Sequence, residues 1–266
     1  MYKILISLTL VALGFIFNPI STIGAADGEA CTDFLRLVNR EHPLPSSYQP
    51  KSLYKLKNVY KPKGIYKPKE VVIQAEAHKA FESMMADMAA TGLPVPMVQS
   101  GYRCHRYQQA IFDQKVKELT AKGLNKAAAT EKALASVQPP GASEHQLGLA
   151  IDVTLDGTLS QAFGQTPTGQ WLAENSHRHG FIIRYPQGKT HITGIVYEPW
   201  HLRYVGLPHS SIMEEKNLTL EEYLHYLQTV GRYVFWLPEG EYFLIEWGEP
   251  ITTTRKKAPP DYLSPP

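Results

Sequence analysis

The segment SEHQLGLAID, residues 143–152, combines a predicted strand with two side chains that can bind a metal. The apolar run over 148–154 predicts a short buried strand, which begins directly after a loop that carries His145. Asp152 lies inside this strand, where a carboxylate is costly unless it is paired or bound to a metal. We expect the strand to fold back on the loop and bring His145 and Asp152 to one point. The alternative is a paired Asp152 and a surface His145.

A second cluster, EPWH at residues 198–201, places a carboxylate three residues before a histidine. A hydrolytic zinc site uses three protein ligands and leaves one position open for water, so His201 would be the third ligand. Glu198 would then lie beside that water as the general base, because zinc lowers the pKa of bound water toward about 7. The alternative is a surface turn in which Glu and His occur together by chance.

A third cluster, SGYR at residues 100–103, is followed by Gln108. Arg103 lies at a predicted strand-to-helix turn, and its planar guanidinium can bind a carboxylate through two parallel hydrogen bonds. In a carboxypeptidase that carboxylate is the free C-terminus of the substrate. The alternative is a structural arginine that pairs with an acidic neighbour.

The surrounding sequence predicts an α+β fold, in which an antiparallel sheet carries the zinc site and helices pack around it. The predicted helices cover residues 71–90, 107–137 with a break near 123–125, 171–179 and 219–230. The predicted strands besides 148–154 cover residues 94–100, 181–185 and 192–197, with a hairpin turn at 187–189. The methionines of the first helix are expected to be core residues.

Together the patterns SGYR, SxHxxGxAxD and EPWH resemble those of the VanY-type D-alanyl-D-alanine carboxypeptidases. These enzymes belong to a wider zinc peptidase group that includes lysostaphin-type enzymes and hedgehog signalling domains. The resemblance extends from about residue 37 to the helix at 220–224. It therefore covers most of the chain and leaves out the C-terminal end.

The resemblance implies a metal site and a catalytic base. His145, Asp152 and His201 match the zinc ligands of the family, which would hold one Zn2+ per chain, and Glu198 matches its catalytic base. Because the ligand histidines must be neutral to bind the metal, activity is expected to fall below about pH 6.

The resemblance also implies a substrate site. Arg103 matches the residue that holds the terminal carboxylate of the substrate, Ser143 and Gln108 match positions that help to hold it, and Trp200 would form a wall of the site. The chain departs from the family directly after the arginine, where Cys-His stands in place of the usual Ser-Tyr. This change lies beside the predicted site, so it bears on substrate preference.

The implied function is an exported zinc-dependent D,D-carboxypeptidase that removes the terminal D-alanine from peptidoglycan stem peptides. One alternative is an L,D-carboxypeptidase that acts on tetrapeptide stems, since both substrates end in D-alanine. A second alternative is a catalytically inactive hedgehog-like binding module, although the presence of Glu198 argues against it. The formal net charge of +2 gives no reason to expect a nucleic-acid partner, and we expect a monomer.

The N-terminus predicts export. Lys3, an apolar run over 4–17 and small residues up to Ala26 have the layout of a signal peptide at 1–26. We expect a product in the periplasm, cell wall or extracellular space without stable membrane insertion; an uncleaved membrane anchor is the alternative. Export would permit a disulfide between Cys31 and Cys104, the only two cysteines.

The rest of the chain divides by composition into three parts. Residues after 252 are rich in proline and charge, so this end is predicted to be disordered. The predicted parts are an N-terminal segment with a basic loop rich in Lys, Tyr and Pro at 27–70, a zinc carboxypeptidase domain at 71–230 and a C-terminal extension at 231–266.

Overall fold

The structure, a computed structural model, describes residues 34–60, 70–237 and 240–257. The strands in these residues are β1 (Leu53–Lys55), β2 (Val72–Gln74), β3 (Met97–Ser100), β4 (Ala150–Thr154), β5 (Phe181–Ile183), β6 (His201–Tyr204), β7 (Arg232–Trp236), β8 (Glu241–Glu246) and β9 (Thr252–Lys257). The helices are α1 (Ala75–Ala90), α2 (His105–Ala121), α3 (Lys126–Leu134), α4 (Pro167–Asn175), α5 (Thr190–Thr193), α6 (His209–Glu215) and α7 (Leu220–Val230). Mixed helices and antiparallel sheets confirm the predicted α+β class.

The central sheet has four antiparallel strands in the order β3-β4-β6-β5. Its register places Asp152 of β4 between Ser100 of β3 and His201 of β6. Residues directly opposite each other in an antiparallel sheet point to the same face. The sheet therefore aligns Ser100, Asp152 and His201 in one row, although they are far apart in the sequence.

Helix α1 covers one face of the core. It begins at Ala75, later than the predicted 71, because residues 72–74 pair with β1 as a strand. Met84 and Met88 are completely buried in the central hydrophobic cluster, which confirms them as core residues. Full burial of such a side chain stabilises the fold by ~1.5–3 kcal/mol.

The other predicted helices are confirmed, with small shifts at their ends. The predicted break near 123–125 separates α2 from α3, and Asn125 caps α3 by accepting from Ala128 N at 2.9 Å. Helix α4 continues into a 3₁₀ turn that ends at Gly180, whose φ of +79° suits glycine. Thr219 begins α7 with a capping box.

The predicted strand over 192–197 is wrong. Thr190–Thr193 forms the single helical turn α5, and Gly194 ends it with a φ of +71°. The Thr193 hydroxyl donates to the backbone of its own turn, and Val196 N donates to Ala135 O at 3.1 Å. These local and helix-directed hydrogen bonds replace the strand ladder that the β-branched composition favoured. The next strand of the sheet is β6, which begins at His201.

The predicted disorder after residue 252 is wrong for residues 253–257, which belong to β9 and pair with β8. Ile245 of β8 is buried among residues of α6 and α7, so the sheet β7-β8-β9 packs on the rest of the fold. Thr253 lies 3.0 Å from His209 Nε2, and Arg255 Nε donates to Glu241 at 2.7 Å. The basic residues that suggested disorder belong to an edge strand, where charge is common.

Several predictions about the ends concern residues outside the described ranges. They include the signal peptide at 1–26, Cys31, the second half of the basic loop at 61–69 and the last residues at 258–266. Cys104 is exposed. Within the described ranges, the helices all lack the length and apolar character that a bilayer span requires.

Candidate metal centre and active site

His145, Asp152 and His201 converge at the middle of the central sheet. All three are buried, and each offers one ligand atom within 4.8 Å of the others. His145 Nε2 lies 3.2 Å from Asp152 Oδ2, and His201 Nδ1 lies 3.0 Å from Asp152 Oδ1. The structure thus brings together the three residues that the sequence predicted as metal ligands.

The local fold fixes the orientation of His145. It lies in a 3₁₀ turn at Glu144–Leu147 that ends at Gly148, where φ is +72°. Its Nδ1 lies 2.7 Å from Gly101 O, and because a carbonyl only accepts, Nδ1 must carry the proton. The lone pair of Nε2 therefore faces Asp152 and is available to a metal.

The surroundings set the protonation of the two histidines. Burial and the charge of Arg103 lower the pKa of His145 to about 4, so this ring is neutral at pH 7. Burial also opposes the charged form of His201, but the neighbouring carboxylates of Asp152 and Glu144 outweigh it and raise its pKa to about 9. A site that favours a proton so strongly attracts cations in general, and a metal at Nδ1 would compete with that proton.

The residues fit a zinc ion by their chemistry. Two imidazoles and one carboxylate are typical ligands of catalytic zinc, which keeps a further position for water or substrate. Ligand histidines usually donate their other ring N–H to a carbonyl or carboxylate, as His145 does to Gly101. His201 Nε2 is buried without a hydrogen-bond partner and faces Glu144 Oε2 at 3.8 Å. His145 therefore has the arrangement of a metal ligand, and His201 directs Nδ1 toward Asp152.

Glu198 lies next to the metal ligands without being one of them. Its Oε2 is 3.8 Å from His201 Nδ1, and the residue is only 7% exposed. The turn that carries it is held by Glu198 N, which donates to Tyr185 O at 3.0 Å, and by His201 N, which donates to Glu198 O at 3.2 Å. Burial raises the pKa of Glu198 to about 7. Such a carboxyl can both accept and return a proton near neutral pH.

Arg103 contacts the metal site directly. Its guanidinium pairs with Asp152, its Nε donates to Ser100 Oγ at 2.7 Å, and it donates to Gln108 Oε1 at 3.4 Å. Gln108 is itself held by Gln138 O at 2.7 Å. The acidic neighbour that the structural alternative expected for Arg103 is therefore present, and it is Asp152, one of the three predicted metal ligands. The guanidinium lies beside the metal centre, where it can also meet a substrate carboxylate.

The other two predicted substrate residues are placed less directly. Ser143 is buried immediately before the turn that carries His145. Trp200 lies between Glu198 and His201 and packs, half-buried, against the central hydrophobic cluster. Both therefore adjoin the metal centre, and their contact with substrate stays a prediction.

The sequence interpretation missed Glu144, a completely buried carboxylate beneath His201. Its Oε1 accepts from Arg184 Nε and lies at the same 2.7 Å from a terminal nitrogen of Arg203. Burial opposes its ionisation, but Arg184 and Arg203 outweigh this and hold the pKa of Glu144 well below its usual range. A carboxylate directly beside His145, in the loop predicted to meet the buried strand, was the available signal.

Comparison with known proteins supports this site. A family model described as VanY, D-alanyl-D-alanine carboxypeptidase, matches residues 70–207. The D-alanyl-D-alanine carboxypeptidase of Enterococcus faecalis (strain ATCC 700802 / V583) is 42% identical over 191 residues, which are 72% of this chain and 65% of that protein. The residues matched by the family model include every residue of the three clusters.

Solved structures with similar folds are also enzymes of this kind. One is a variant of the vancomycin resistance D,D-pentapeptidase VanY from a VanB-type resistance cassette in complex with Zn(II), at 41% identity and a TM-score of 0.62 over 72% of this chain and 99% of that chain. Another is the LD-carboxypeptidase LdcB, at 36% identity and a TM-score of 0.61 over 71% of this chain and 84% of that chain.

Proposed function

The chain belongs to the VanY family of D-alanyl-D-alanine carboxypeptidases, and on this premise we propose that it is an exported zinc-dependent D,D-carboxypeptidase. Its substrate would be a peptidoglycan stem peptide, from which it removes the terminal D-alanine. The observation that carries the proposal is the convergence of His145, Asp152 and His201 with Glu198 and Arg103 in one buried centre.

Arg103 binds the substrate by its free end. The terminal carboxylate accepts charge-assisted hydrogen bonds from the guanidinium, which is already oriented by Ser100 and Gln108. Because Arg103 adjoins Asp152, the last peptide bond of a substrate held in this way lies close to the metal ligands. An enzyme with this arrangement cuts one residue from a free C-terminus.

Glu198 moves the proton. Zinc, when bound, supplies Lewis acidity that polarises the scissile carbonyl and favours ionisation of water. Glu198 takes a proton from the attacking water as its oxygen adds to the carbonyl carbon. The carbon–nitrogen bond then breaks, and Glu198 passes the proton to the departing amine of D-alanine. The balance is one water consumed, one shortened peptide and one free D-alanine.

A second candidate is an L,D-carboxypeptidase on tetrapeptide stems. It is favoured by the similarity to LdcB, whose TM-score of 0.61 is nearly that of the D,D-pentapeptidase at 0.62. Both substrates end in D-alanine, so Arg103 and Glu198 would act identically on either. The inactive binding module is not favoured, because Glu198 lies beside the metal ligands.

The test compares two substrates. Purified protein is incubated with stem pentapeptide or with tetrapeptide, and free D-alanine is measured with and without a zinc chelator. The proposal expects chelator-sensitive release from the pentapeptide. Release from the tetrapeptide alone would replace it with the second candidate. Mass measurement of the exported protein adds the test of location, since export with cleavage after Ala26 removes residues 1–26.

A further inference from the structure

Glu144 occupies a position between the metal site and two buried arginines. Its two carboxylate oxygens have different surroundings. Oε1 is shared by Arg184 and Arg203, each at 2.7 Å. Oε2 is buried without a hydrogen-bond partner and points toward Nε2 of His201, 3.8 Å away. The carboxylate is thus anchored on one side and directed at a metal ligand on the other.

His201 Nε2 is likewise buried without a hydrogen-bond partner. A buried polar atom that stays unpaired costs free energy comparable to the loss of a hydrogen bond. Here a potential donor and a potential acceptor face each other just beyond hydrogen-bond distance. A hydrogen bond between them would satisfy both, provided that the proton of His201 is on Nε2 and the lone pair of Nδ1 is free.

We propose that Glu144 is a positioning residue, which holds His201 in the tautomer and orientation that turns Nδ1 toward the metal. Glu144 is not a ligand, because it lies on the Nε2 side of the ring, away from Asp152 and Glu198. Its carboxylate accepts from Nε2, as Gly101 O accepts from Nδ1 of His145. The inference rests on the metal site of the proposed function, and it adds the group that sets the geometry of one ligand.

The arginines connect this carboxylate to distant parts of the chain. Side chains two residues apart on a strand point to the same face, so Arg203 and His201 of β6 both reach Glu144. Arg203 also donates to Phe34 O at 2.9 Å and to Arg36 O at 3.0 Å. The N-terminal segment is thereby tied, through one arginine, to the orientation of His201.

Arg184 makes the second connection. It donates from both terminal nitrogens to Glu221 in the first turn of α7, at 3.0 and 2.7 Å. Two carboxylates and two guanidinium groups therefore form a group with balanced charge, which is buried except for the partly exposed Glu221. Breaking such a group by removing one partner is much more costly than its net contribution to stability, so the carboxylate is held firmly.

The experiment measures zinc affinity and the tautomer of His201 in the full chain. Glu144→Gln keeps the size of the side chain but cannot accept from both arginines and from His201. Glu144→Asp keeps the charge for the arginines and withdraws the second oxygen from His201. Glu221→Gln is the control, since it perturbs Arg184 without touching His201. Affinity is measured by competition with a chromophoric chelator, and the tautomer by nitrogen-15 NMR of the imidazole.

We expect both Glu144 variants to lose zinc affinity by about 10- to 100-fold, as is common when the outer partner of a ligand histidine is removed. In the zinc-bound wild type the proton of His201 should lie on Nε2 and be donated to Glu144, and in the zinc-bound variants the nitrogen-15 shift of Nε2 should move because this hydrogen bond is lost. Glu221→Gln should lose much less zinc affinity than either Glu144 variant, because Arg203 still pairs with Glu144. If Glu144→Gln fails to fold, the Asp variant decides.

Wild-type zinc affinity in a folded Glu144→Asp protein would overturn the positioning role, as would an equal loss in Glu221→Gln. Because neither readout depends on peptidase activity, a failure of the proposed substrate leaves this result intact. A wild type that binds no zinc would overturn the metal site, and the positioning role with it.

Discussion

Replacing Glu198 by glutamine removes the proposed base and little else. Glutamine has nearly the same shape, and the side chain lies 3.8 Å from the metal-facing nitrogen of His201 without being a ligand. Zinc binding should therefore persist. General acid–base catalysis contributes about 10²- to 10⁴-fold, so kcat should fall by that factor. The loss corresponds to roughly 3 to 5 kcal/mol of transition-state stabilisation.

The assay measures kcat for release of D-alanine from stem pentapeptide, together with the zinc content of each protein. Glu131→Gln is a matched control, because this glutamate is exposed on α3 and remote in sequence from all three clusters. We expect one zinc per chain in all proteins and a loss of activity only in Glu198→Gln. A fully loaded Glu198→Gln protein with kcat within about threefold of wild type would refute the role of this carboxylate, because general-base catalysis is worth far more.

The pH dependence of activity also tests the role of Glu198 as the base. Glu198 acts as a base only when ionised, so wild-type activity should fall as the pH drops through its pKa. Burial places that pKa at about 7, and the positive charge of a bound metal lowers it. The acidic limb should therefore lie at or below pH 7. The residual activity of Glu198→Gln should not decrease through this pKa, because glutamine does not titrate.

Three further predictions concern stability and metal binding. Burial lowers the pKa of His209 to about 4. Between about pH 6.5 and 4 the unfolded chain therefore binds more protons than the folded chain, and the free energy of unfolding decreases as the pH is lowered through this range. Urea unfolding should show that wild type loses about 2 kcal/mol more than His209→Gln between pH 7 and 5, and equal losses would contradict this. A Cβ at Gly101 would meet Val72 O at 2.6 Å, so Gly101→Ala should lower the free energy of unfolding by about 1–3 kcal/mol. It should also weaken zinc binding, because Gly101 O orients His145. Unchanged zinc affinity would contradict this effect of Gly101 on His145. Removing zinc should lower the melting temperature, since a ligand at a thousandfold excess over its Kd stabilises the native state by about 4 kcal/mol; an unchanged melting temperature would argue against a bound metal.

The metal centre could be predicted because its chemistry is concentrated in short segments. His145 and Asp152 are seven residues apart, and Glu198 and His201 are three apart, so each pair is visible in a short pattern. Their meeting across the sheet depends on the register of β4 with β6, which no local pattern specifies. It became predictable only through the resemblance to a family in which the three patterns occur together.

Elements that depend on distant partners could not be predicted. The 192–197 segment has strand-forming residues, but Gly194 and the bond from Val196 to Ala135 direct it elsewhere. The residues of β9 have the composition of a polar tail, and only their pairing with β8 makes them a strand. The position of Glu144 in the site also depends on distant partners. Its contacts are with Arg184 and Arg203, which lie 40 and 59 residues further along the chain, and with His201.

Zinc titration of the metal-free enzyme tests the central claim most directly, because it follows bound zinc and D-alanine release from stem pentapeptide in the same samples. The account predicts that activity rises in proportion to bound zinc and reaches its plateau at one zinc per chain, the occupancy of the site formed by His145, Asp152 and His201. Full release of D-alanine from the metal-free protein, or a plateau that requires a second zinc, would contradict it.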